Sequence, residues 1–60
     1  RVDWDLLAEV AQLIGALSGA RPRPLDLDEQ ARYLQIGYRW AVHHGREAAV
    51  AMLRAFDEAA

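Results

Sequence analysis

The sequence predicts an all-α fold, a small antiparallel three-helix unit made of a helical hairpin plus one helix, and three observations predict it. Twelve of the sixty residues are alanine, the strongest helix former. Threonine and asparagine are absent and serine occurs once, a composition that disfavours strands. Apolar residues recur at spacings of three and four through stretches that proline or glycine separates. The alternative is one short helix packed on one long one, and it turns on whether Gly45 ends a helix or lies within it.

The first helix is expected from about Trp4 to Ser18. Asp3 is its N-cap, because a carboxylate there accepts from the free N–H groups of the first turn. Val2 and Leu7 occupy the two positions of a hydrophobic staple. Leu7, Val10, Ile14 and Leu17 follow at spacings of three, four and three, one continuous apolar stripe. Leu6 and Leu13 widen it on one side, Trp4 and Ala11 on the other. Such a stripe exceeds what one neighbouring helix covers. Gly19 is placed to end the helix in a left-handed conformation.

Residues 20–25 form an Arg/Pro connector, Ala20-Arg21-Pro22-Arg23-Pro24-Leu25, whose prolines favour an extended path. The second helix is expected over about 27–44. Asp26 and Glu29 have capping-box spacing, and three acids suit the positive end of the helix dipole. Leu27, Ala31, Leu34, Tyr38 and Ala41 make the expected inward stripe, and Tyr33, Ile36 and Trp40 a second apolar line. Asp28 and Arg32 are spaced for an ion pair. A turn at Gly45 puts both histidines favourably at the end of helix two. Helix three then covers about 46–59 and turns Ala49, Met52, Leu53 and Phe56 inward. Asp57 and Glu58 fall at the negative end of its dipole, so the helix is expected to continue in a longer chain. The opening residue, Arg1, leads to the same expectation of a fragment or processed product.

Residues 1–60 are thus read as one domain. A chain of this length buries only about 60% of the surface its unfolded form exposes. It has no cysteine, so neither a disulfide nor a thiolate metal site supports it. Association with another protein is the remedy left. The net charge is −2 and the seven basic residues, all arginine, are scattered, which disfavours nucleic acid. No apolar run approaches the roughly 20 residues of a membrane span, so no membrane role and a cytoplasmic setting are expected.

No enzyme chemistry is expected, and no catalytic, cofactor-binding or metal-binding residue is assigned. Adjacent residues on a helix point about 100° apart, so His43 and His44 are poorly placed to share a metal. Ser18 has neither a base nor a glycine-rich setting, and the acids are explained as caps and solvated faces. Arg21, Arg23, Arg32 and Arg39, with Tyr33 and Trp40 interleaved, are the candidates for a nucleic-acid surface. Alanines 48, 49 and 51, however, stand where a recognition helix needs base-reading side chains.

The remaining candidates form a partner interface: Leu6 and Leu13 on the first helix, Tyr38 and Trp40 on the second. Large amphipathic rings are favoured at such surfaces. The stretch Ile36 to Ala59 has a glycine at a tight turn, alanines after it, and Phe56-Asp57-Glu58-Ala59 at its end. It resembles a helical hairpin of the tetratricopeptide kind, over less than half the chain and with its spacing off by about one position. The resemblance implies stacked helices presenting a partner-binding face. The expected function is therefore protein–protein interaction or oligomerisation, with a second copy (a homodimer) or another helical protein as partner. The alternatives are a small nucleic-acid-binding or regulatory domain, or a helical accessory segment of a larger enzyme.

Overall fold

The computed structural model describes residues 1–59; Ala60, the last residue of the expected unit, lies outside them. Three helices follow in order: α1 (Trp4–Gly19), α2 (Leu27–His44) and α3 (Arg46–Ala59). All three pack against one another, α2 antiparallel to both neighbours. Gly45 alone joins α2 to α3, and it rules out the single long helix. Its φ of 92° and ψ of 163° fall in a region that essentially only glycine occupies. The N–H of Gly45 donates to the Ala41 carbonyl, and its own carbonyl accepts from Ala49.

Both expected N-caps form. The Asp3 carboxylate accepts from the Leu6 N–H at 3.1 Å. Asp26 and Glu29 close a full capping box, at 2.8 and 3.0 Å. The α1 terminus differs from expectation. Gly19 is the last helical residue, not a left-handed cap, and Ala20 caps the helix in ordinary right-handed geometry. What turns the chain there is a side chain. The buried Ser18 Oγ accepts from the Leu25 N–H at 2.9 Å, while Gln30 Nε2 donates to the Leu25 carbonyl at 2.9 Å. Leu25, read as connector, is thereby tucked into the core.

The core comprises Val10, Ile14, Leu25, Tyr33, Ala41, Ala49 and Leu53, and Leu6, Leu13, Leu17, Leu34 and Met52 pack around it. Helix α1 keeps the expected phase, with Val10 and Ile14 at its centre. Helix α2 does not. Its buried line is Tyr33, Gly37 and Ala41, rotated by roughly 80° from the expected stripe at about 100° per residue. Only Ala41 belongs to both. Leu27 stands 83% exposed, because it opens the first turn while Leu25 has already filled the space beneath. Gly37 causes the rotation: a Cβ there would lie 2.9 Å from both Leu53 Cδ1 and Val10 Cγ1. Its bare backbone is where side chains from the other two helices meet. On α3, Ala49 and Leu53 are buried, Met52 is half-buried, and Phe56, expected inward, is 45% exposed. Phe56 meets Tyr33 edge-on, with ring centroids 5.2 Å apart.

Two ion pairs tie elements together among the described residues. Arg21 of the connector holds Asp57 near the end of α3, and Arg46 holds Glu9 at 2.9 Å. The hydrogen bond that the Arg21 guanidinium donates to Asp57 raises the Arg21 pKa above its ordinary value. The expected Asp28–Arg32 pair does not form.

Candidate protein-interaction surface

The four residues expected at a partner interface fall in different places. Leu6 and Leu13 are half-buried against the core. Leu13 also lines a groove of about 290 Å³ between α1 and α3, with Glu9, Arg46 and Val50 on its walls. Tyr38 is half-buried, and its hydroxyl accepts from the Asp3 backbone N–H at 2.8 Å, tying the start of α1 to α2. Trp40 is 41% exposed and lies against His44, centroids 4.4 Å apart. Two residues apart on one helix, Tyr38 and Trp40 point to nearly opposite sides. The four do not meet in one patch.

The structure leaves apolar side chains exposed on two sides of α2. Toward α3 stand Ile36, Trp40 and Phe56, 38%, 41% and 45% exposed. Toward α1 stand Trp4 and Leu27, 72% and 83% exposed, the two most exposed large apolar side chains. Between α1 and α2 opens a hollow of about 250 Å³ lined by Ala11, Ile14, Leu27, Gln30, Ala31 and Leu34. Trp4 and Leu27 are the surface residues that periodicity obscured. Each matched an inward stripe, but each opens the first turn of its helix, where the neighbouring helix leaves it largely uncovered.

Polar chemistry has little to work with. Ser18 is occupied as a structural acceptor, and Arg21 and Arg46 are engaged by carboxylates. Among the described residues no three His, Asp or Glu side chains converge as metal ligands would. The His43 and His44 ring centroids are 6.4 Å apart at the helix end. The hollow beside them, lined by His44, Gly45, Arg46, Glu47 and Val50, is a broad open basin. No helix among the described residues is long and apolar enough to cross a membrane.

Compared with protein-family models, with curated proteins and with solved structures, the chain matches none. The likeness of Ile36 to Ala59 to a tetratricopeptide hairpin therefore has no family match behind it. Class is defined by architecture alone: a three-helix bundle with apolar side chains on its outside.

Proposed function

We propose that this chain is a helical protein-interaction or oligomerisation module, acting through association with a second copy or another helical protein and carrying no catalysis of its own. One observation supports this most. Among the described residues seven large apolar side chains are exposed, as many as the apolar residues that make up the core. Two of those core residues are alanines, which contribute little burial. A domain this small gains stability wherever such surface is removed from water, and association removes it without new covalent bonds. Isolated exposed leucines are ordinary on proteins, but here both tryptophans and several aliphatics are exposed, on two sides of one helix.

Sedimentation equilibrium from micromolar to millimolar concentration tests the proposal. The expected result is a mass above that of the monomer and a melting temperature that rises with concentration. A monomer with a high, concentration-independent melting temperature would overturn it.

A further inference from the structure

We infer that the partner is a second copy of this chain, docked across the α1/α2 side so that Trp4 of each copy enters the other's hollow beside Gly15. The inference rests on the interaction reading above and specifies its partner and geometry.

Charge spacing is the first support. Asp28 and Arg39 are exposed, belong to neither ion pair of the chain, and stand eleven residues apart on α2. Eleven residues make about three turns, so both charges lie along one edge of the helix, about 16 Å apart. A two-fold interface presents the same patch from both copies. With the two α2 helices antiparallel about the midpoint of that spacing, Asp28 of each copy faces the partner's Arg39. A parallel pairing would oppose like charges instead, which is costly.

Shape independently selects the same axis. The charge midpoint lies between Tyr33 and Leu34. The Ser18–Leu25 and Asp3–Tyr38 hydrogen bonds set the register of α1 on α2, and together they put that midpoint level with about Leu7 to Val10 on α1. Trp4 stands about four to five residues to one side of this level, so the axis carries Trp4 over the partner's Ala11–Gly15 stretch. That stretch is open. Trp4, Ala8, Ala11 and Gly15 follow at spacings of four, three and four along one exposed line, and all but the first are small. Nothing lies within 4 Å of where a Cβ would sit on Gly15. The hollow of about 250 Å³ begins at Ala11. A cavity of about 150 Å³ already admits benzene, so an indole ring has room.

A stable dimer commonly buries about 800 Å² per partner. That is under a fifth of this chain's 4541 Å², and this side holds its two most exposed large apolar residues.

Gly15→Leu is the discriminating variant. Leucine is the better helix former and its Cβ meets no atom of its own chain, so the monomer should fold unchanged while bulk is added to the exposed line that the partner's Trp4 must approach. Sedimentation equilibrium should show the dimer weakened at least about tenfold by Gly15→Leu and about thirtyfold by Trp4→Ala. Asp28→Arg and Arg39→Asp should each weaken it, and the double variant should recover most of the loss. Circular dichroism at low concentration checks that every variant keeps its helices. A wild-type chain that stays monomeric overturns the interaction reading itself. A wild-type dimer indifferent to Gly15→Leu and Trp4→Ala, but weakened by Trp40→Ala, overturns this geometry alone and assigns the interface to the α2/α3 side.

Discussion

The α2/α3 contact and the α1/α2 side use the same small residues to opposite ends. Between α2 and α3, Gly37 receives the fully buried Leu53, and Ala41 and Ala49 are both buried. The bare face of Gly37 has a neighbour that fills its space, and the helices close together. Between α1 and α2 the outer edge brings Ala11 and Ala31 to one hollow, and the larger side chains around it, Leu27 and Leu34 among them, leave it open. A small residue thus marks core only where its neighbour supplies the missing volume. Otherwise it marks a surface able to receive something from outside.

The largest expected effects break the closed side. Leu53→Ala, at 0% exposure, should cost about 2–5 kcal/mol and unfold so small a domain. Ile14→Ala, at 2% exposure, should do the same. Leu34→Ala should cost clearly less, because Leu34 lines the open hollow and has lost only part of its contact with water. Circular dichroism melts of the three variants measure the contrast. Equal losses at Leu34 and Leu53 would mean that the hollow is closed in solution.

Next comes the joint that holds α3 against α2. Gly45→Ala places a Cβ where φ is 92°, a conformation costing a non-glycine residue about 1–3 kcal/mol. Nothing lies near that Cβ, so the loss would be conformational, not steric. A higher melting temperature would show that the two helices run on as one. Gly37→Ala tests packing instead. Alanine gains up to about 1 kcal/mol of helix propensity, yet its Cβ meets Val10 and Leu53 at 2.9 Å. Overpacking usually costs about 1–3 kcal/mol, and Val10 is too stiff at its branched Cβ to retreat, so a net loss of about 1 kcal/mol is expected.

These glycines also show how far the sequence could be read. Helix number, both aspartate caps and the turn at Gly45 were legible because each depends on local chemistry within a few residues. The facing of α2 was not. Periodicity weighs side chains, so a stripe through Leu27, Leu34 and Tyr38 outweighed the line through Gly37, whose value lies in having none. Leu25 was hidden in a proline connector because its burial depends on Ser18, seven residues away. An excess of apolar residues was legible, but which of them lie outside follows from the phase of α2. Trp40 is exposed, and so are Trp4 and Leu27, which were counted toward stripes that their helix ends do not complete.

The smallest expected effect carries the opposite sign and separates the two sides most cleanly. Gly15→Ala sits mid-helix on α1 with ordinary helical backbone and no atom within 4 Å of the added Cβ. Nothing opposes the gain in helix propensity, so the dilute monomer should be stabilised by some tenths of a kcal/mol, up to about 1. The same substitution at Gly37 should destabilise, so the pair of melts reports directly which small residue faces a filled space. If Gly15→Ala instead lowers the melting temperature at low concentration, then α1 packs more closely along that line than its open surface implies. The hollow beside it would then be closed by the chain's own helices, leaving no room for a second copy. If the monomer gains and only concentrated samples lose, the added methyl is felt by a neighbour from outside, as a site facing a second copy requires.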